Sequence, residues 1–146
     1  MADSPLPSSL RRALTRYMEA RSSALIEARR VLNIGEGDAR ALLFISDTPG
    51  TRPTQLRDYL GITSAGVTAL IDRLVERGVV RRDVDPDDRR VSRITATIDV
   101  AEDPWSSLTR FDIDFDGAVA ASDAEFTRQL AEALESLTDT TVGAPR

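Results

Sequence analysis

The six residues Asp85-Pro86-Asp87-Asp88-Arg89-Arg90 hold the densest chemistry in this 146-residue chain. Three carboxylates and two guanidiniums are packed around a proline that turns the backbone. The flanking runs, Val79-Val80-Arg81-Arg82 and Val91 to Thr97, are rich in β-branched residues and predict two short strands. The arginines therefore sit near the tip of a hairpin. An extended arginine at such a tip suits a narrow DNA minor groove, where the negative potential is strongest, and Asp88 can hold it extended through a charge-assisted bond. The competing reading is a solvated turn in which Asp85, Asp87 and Asp88 nearly cancel Arg89, Arg90 and Arg93.

Upstream lies a second candidate, a helix with small residues on its outer face. Gly61 provides a turn, Thr63 or Ser64 an N-cap, and Gly78 a stop. Val67, Leu70, Ile71 and Leu74 fall on one face at helical spacing. The opposite face carries Ser64, Ala65, Thr68, Ala69, Asp72 and Arg73. Short side chains let a helix approach base edges closely. Ser64 and Thr68 can exchange hydrogen bonds there, and Ala65 can meet a thymine methyl. Thr54, Arg73 and Arg89 are placed for phosphate, Arg90 for the minor groove. The full candidate set is Thr54, Thr63, Ser64, Ala65, Thr68, Arg73, Asp88, Arg89 and Arg90. A plain helical hairpin within a bundle would show much of the same pattern.

These residues need elements to position them. Leu10, Leu14, Tyr17, Leu25, Ala28 and Leu32 predict a long amphipathic helix from Ser8 or Ser9, closed by Asn33-Ile34-Gly35. A second helix opens at Gly37 or Asp38, buries Ala39, Leu42, Leu43 and Ile45, and stops at Pro49-Gly50. Pro53 opens a third, with Leu56, Tyr59 and Leu60 inward. From about Asp103 to Leu137 the positions Leu108, Phe111, Phe115, Val119, Phe126, Leu130, Leu134 and Leu137 again repeat helically, as one helix or two. The expected fold is mainly α with a small β-hairpin. Its expected divisions are a loose arm at 1–7, helical regions at 8–33 and 101–138, a helix-turn-helix with hairpin at 34–100, and a tail at 139–146.

Composition narrows the chemistry. Cysteine and histidine are absent, which removes disulfides, thiol nucleophiles, Cys/His zinc sites and the usual general base at neutral pH. With no glycine-rich phosphate loop either, an enzyme is not expected, nor a cofactor. Every basic side chain is arginine, a planar donor suited to phosphate and guanine. The net charge is −5, but it is uneven. Residues 51–97 carry nine arginines and seven acids, a net of +2. Residues 98–139 carry two arginines and eleven acids, a net of −9. Salt screens distant charge, so the local basic patch governs binding. No apolar run is long enough to span a membrane, and the first residues lack a secretory pattern, so a cytoplasmic location is expected.

Asp112, Asp114, Asp116, Gly117 and Asp123 match the spacing of an EF-hand calcium loop over 112–123. That reading exposes Phe115 and lacks the closing glutamate. A continuous amphipathic helix with Phe111, Phe115, Val119 and Phe126 on one stripe uses the same residues better, so no metal is expected.

The runs Leu-Gly-Ile-Thr-Ser at 60–64, Val-Thr-Ala-Leu-Ile-Asp-Arg-Leu-Val-Glu-Arg-Gly-Val-Val-Arg-Arg at 67–82 and Asp-Pro-Asp-Asp-Arg-Arg at 85–90, then Ile-Thr-Ala-Thr, resemble the MarR family of bacterial transcriptional regulators. The resemblance implies a winged helix-turn-helix joined to N- and C-terminal dimerisation helices. It implies a homodimer on a near-palindromic double-stranded DNA operator, with helix 63–77 in the major groove and Arg90, oriented by Asp88, in the minor groove. Family members usually repress and are released by small, often aromatic or anionic, effectors; no residue here is assigned to one. Trp105, Tyr17 and Phe111 are cavity candidates, with core packing the competing role. The chain departs from the family after the wing, where Ile98-Asp99-Val100 and an acidic stretch replace the usual Leu-Thr-x-x-Gly, and at Arg57, where a small residue is usual. A winged helix used only for protein interaction is the rival expectation.

Overall fold

A computed structural model describes residues 8–143, so the arm expected at 1–7 lies outside the described residues. The chain divides into two compact units, one reaching to Thr109 and one starting at Arg110.

In the first unit, helix α1 spans Ser9–Leu32. Ser8 caps it by accepting the Arg11 N–H at 3.1 Å, and Asn33 ends it in the left-handed region at φ 50°. Helix α2 is Glu36–Asp47, α3 is Pro53–Leu60 and α4 is Ser64–Glu76. Strands β1, Val80–Val84, and β2, Ser92–Ala96, pair antiparallel with Val80 opposite Ala96 and Val84 opposite Ser92. Thr51 adds a single bridge to Ile94, its carbonyl accepting the Ile94 N–H at 2.8 Å.

The core sits among α2, α3, α4 and the hairpin, where Leu42, Ile45, Leu56, Ile71, Leu74 and Ile94 are fully buried. Each such side chain contributes roughly 1.5–3 kcal/mol of burial. Ala28 and Leu32 in the last turns of α1 join the same core, as does Leu108 from a short 3₁₀ helix at Trp105–Leu108. Two inward expectations shift. Ala41 rather than Leu43 completes the inner face of α2, because it flanks Leu42 and Ile45 on the helical wheel. Tyr59 is half-exposed. Leu56 takes the inner face of the eight-residue α3, and the Tyr59 ring lies at its edge, stacked on Phe44 at 4.5 Å.

The second unit contains α5, Arg110–Ala120, and α6, Ala124–Gly143, with no buried residue in either. Asp123 breaks the helical run by accepting the Phe126 N–H at 2.7 Å as the N-cap of α6. Helix α6 continues to Gly143, past the point where the apolar period stops. Thr138, Thr140 and Thr141 there return their hydroxyls to carbonyls four residues earlier. Asp112, Asp114 and Asp116 lie on helix α5, where residues two apart point roughly 200° away from one another. With Asp123 engaged as a cap, 112–123 is not a calcium loop, and the EF-hand reading is set aside. Among the described residues no helix is long and apolar enough to cross a membrane.

Candidate nucleic-acid interface

Helix α4 is prepared by the turn before it. Gly61 holds φ 67°, a conformation that disfavours side chains, and its N–H closes α3 on the Arg57 carbonyl at 2.9 Å. Thr63 then accepts the Gly66 N–H at 3.1 Å and starts α4. Val67, Leu70, Ile71 and Leu74 anchor the inner face. The outer face emerges as the spacing predicts: Ser64, Ala65, Thr68, Ala69, Asp72 and Arg73 are all exposed. The first half of that face is short and uncharged. The Thr68 hydroxyl donates to the Ser64 carbonyl at 3.1 Å, leaving its lone pairs for an incoming donor.

The second half of the face is tied down. Arg73 grips Asp38 of α2 with two bonds, Nε to Oδ2 at 3.0 Å and Nη2 to Oδ1 at 2.6 Å, and this pairing holds the guanidinium pKa above its ordinary value. Asp72 meets Arg82 of β1 at 2.5 Å. Arg77 donates to the carbonyls of Leu32 and Asn33 at the end of α1 and lies 5.5 Å from the Trp105 ring. Helix α4 is thus braced against α1, α2 and the hairpin. For Arg73 to touch phosphate it must share its guanidinium with Asp38.

The hairpin loop 85–91 is closed at its neck, where the Asp85 N–H donates to the Val91 carbonyl at 2.9 Å. At its tip Asp88 accepts the Arg90 N–H at 3.0 Å and the Arg90 Nε at 3.4 Å. The Arg90 side chain is 92% exposed, and Arg89 is exposed beside it. Thr54 is exposed in the first turn of α3. The tip is not folded back on the body of the unit.

What holds the base of the hairpin was not among the candidate residues. Asp85 is only 2% exposed. Its Oδ1 accepts the Asp87 N–H at 2.9 Å, and its Oδ2 accepts Arg93 Nε at 2.7 Å and Arg52 Nη2 at 3.4 Å. Arg93 also reaches the Gly50 carbonyl at 3.3 Å. The Asp87 backbone bond and the Arg93 guanidinium hold the Asp85 carboxyl below the usual carboxylate range, against the opposing effect of burial. This carboxylate fastens the loop to β2 and to the entry of α3. The sequence signal was its place beside Pro86 at the end of a strand. Its partner Arg93 is found only once the register is known.

A cavity of about 310 Å³ lies between α1, α2 and α3, lined by Arg21, Leu25, Arg29, Arg40, Tyr59 and Leu108 among others. Arg40 lies 5.3 Å from the Tyr59 ring. None of Trp105, Tyr17 and Phe111 lines it; Trp105 packs against the core instead.

Residues 33–91 match the sequence model of the MarR family. The fold is similar to that of a Staphylococcus aureus MepR mutant bound to an oligodeoxyribonucleotide (15% identity, 91% of this chain and 99% of that one, TM-score 0.63). It is similar to apo MarR from Escherichia coli (20% identity, 92% and 98%, TM-score 0.62). The transcriptional regulator Tm0710 of Thermotoga maritima aligns at 22% identity over 92% and 99%, with TM-score 0.58. At such identities the likeness is one of fold. No curated protein matches the chain.

Proposed function

We propose, from the match of residues 33–91 to the MarR-family model, that the chain is a homodimeric, sequence-specific regulator of transcription, a repressor that binds double-stranded DNA in the cytoplasm. One observation carries the reading: the small-residue face of α4 and the almost fully exposed Arg90 belong to one unit and both face solvent. Ser64, Ala65 and Thr68 read base edges, capped and aimed by Thr63. Thr54, Arg89 and a shared Arg73 hold phosphates, and Arg90, steadied by Asp88, enters the minor groove. MepR, solved with DNA, supports the same use of this fold.

Helices α1 and α5–α6, together residues 8–33 and 101–138, form the dimerisation region, and 34–100 the DNA-binding domain. The support is an apolar stripe that the single chain leaves exposed, with Phe115 and Val119 on α5 and Phe126, Leu130 and Leu137 on α6. Light scattering at micromolar concentration should give twice the 16.0 kDa chain mass; the monomer mass counts against it. Footprinting on the DNA flanking its own gene should reveal a protected site, bound with a log–log salt slope of about −0.9 per phosphate contacted. Binding absent, or indifferent to salt, would favour a protein-interaction module.

The cavity between α1, α2 and α3 supports release by an effector. Three guanidiniums outweigh the Glu36 carboxylate and, beside an aromatic ring and aliphatic walls, fit a small aromatic carboxylate. Titrating such acids into the protein–DNA complex should release the duplex, and Arg40→Ala should blunt the response without weakening DNA binding itself.

A further inference from the structure

Asp85 has one negative charge and two arginines, and they do not hold it equally. Arg93 makes the short contact, Nε to Oδ2 at 2.7 Å, and is tied again to the Gly50 carbonyl. Arg52 approaches the same oxygen at only 3.4 Å, and its side chain remains half-exposed. Arg93 therefore neutralises the carboxylate, and the charge of Arg52 is surplus. A guanidinium that is positioned but not neutralised is available to a second anion.

The place of that charge is set by the backbone. Arg52 is the residue at which the chain enters α3. Pro53 after it bars a helical backbone at position 52, and the Arg52 N–H is held by Gln55 Oε1 at 2.8 Å. On one side α3 leads through Gly61 into α4; on the other, the Arg52 guanidinium meets the base of the wing. A duplex that offers one groove to α4 and the neighbouring groove to the wing lays a phosphate strand between them. Arg52 is exposed two residues before the exposed Thr54 and stands at the joint between α3 and the base of the wing, where such a strand would pass.

We propose that Arg52 binds a phosphate of the strand separating the two gripped grooves, with Asp85 as the residue that positions it. This rests on the DNA-binding reading above. Its probe is a pair of double-stranded fragments of unrelated mixed sequence, titrated at several salt concentrations with the full chain and two variants. Arg52→Gln should weaken binding to both fragments equally, by about threefold or more, and reduce the salt slope by about 1, because one fewer counterion is released. Arg52→Lys should restore the slope, since it keeps the charge. The thermal midpoint of Arg52→Gln should stay near that of the unmodified chain, because Arg93 carries the wing's ion pair. An unchanged slope in Arg52→Gln, whether or not affinity or the midpoint falls, assigns Arg52 a structural part only and overturns the proposal. If the unmodified chain binds neither fragment in a salt-dependent way, the DNA-binding reading falls and takes this one with it. A steep slope shared by wild type and Arg52→Gln leaves that reading standing and removes Arg52 alone.

Discussion

Arg90→Ala will weaken duplex binding at least tenfold and leave the fold intact. Both halves of this expectation come from the geometry of the tip. The Arg90 side chain is 92% exposed, and its ion pair with Asp88 spans 3.4 Å. A surface pair of this kind is worth roughly 0–1 kcal/mol, so removing it barely changes stability. An arginine inserted into a groove is on the order of a 1–3 kcal/mol contact, and each 1.4 kcal/mol is about a factor of ten. Gel-shift titration at fixed salt, paired with thermal unfolding, reads the two effects separately. Affinity equal to that of the unmodified chain would show that the wing stays out of the groove.

Asp85→Asn should be harsher, because it strikes the wing at its root. Asparagine keeps the size but removes the charge, leaving the Arg93 and Arg52 guanidiniums around a neutral amide. We expect a lower thermal midpoint and duplex affinity reduced by about tenfold or more, since a loosened wing no longer presents Arg90. The pH dependence identifies the cause. The folded chain holds the Asp85 carboxyl below its ordinary pKa, chiefly through the Asp87 backbone N–H and the Arg93 guanidinium. Its contribution is fully present above the unfolded value, near roughly pH 4, and is lost as the pH falls from there through the depressed folded value. The midpoint difference between wild type and Asp85→Asn should therefore be constant around neutrality and close in acid. Glu27 and Glu125 are held low in the same direction by Arg30 and Arg128, but they are common to both proteins and cancel in the difference. A gap that persists unchanged into strong acid would mean the carboxylate charge is not what holds the wing.

The helices were legible because each needs an apolar stripe, and a stripe at helical spacing shows in one dimension. Ser8, Thr63, Pro53, Gly61 and Gly78 mark helix ends for the same reason: caps and turns are local chemistry. The outer face of α4 follows directly, since it is whatever the buried stripe leaves over. The hairpin was legible to within about two residues at each strand end. Tyr59 was misjudged because a large aromatic reads as core, while its exposure depends on Phe44 and Arg40, which come from another helix.

Apart from Asp88 and Arg90, neighbours at the hairpin tip, the ion pairs were not legible. Arg73 and Asp38 are 35 residues apart, and Arg77 reaches carbonyls 44 and 45 residues away. No spacing rule links such positions, and among nineteen arginines the sequence offers no reason to choose these. Asp85 looked like one of several acids balancing a basic loop. Only the antiparallel pairing, with Arg93 opposite Asp83, brings the Arg93 guanidinium within reach of it, and only the entry into α3 brings Arg52. Periodicity and capping, being properties of neighbours in the chain, determined the elements and the two exposed faces. Burial of a single carboxylate and the bracing of a helix are set by groups that meet only when distant segments pack, and the tertiary structure alone decided them.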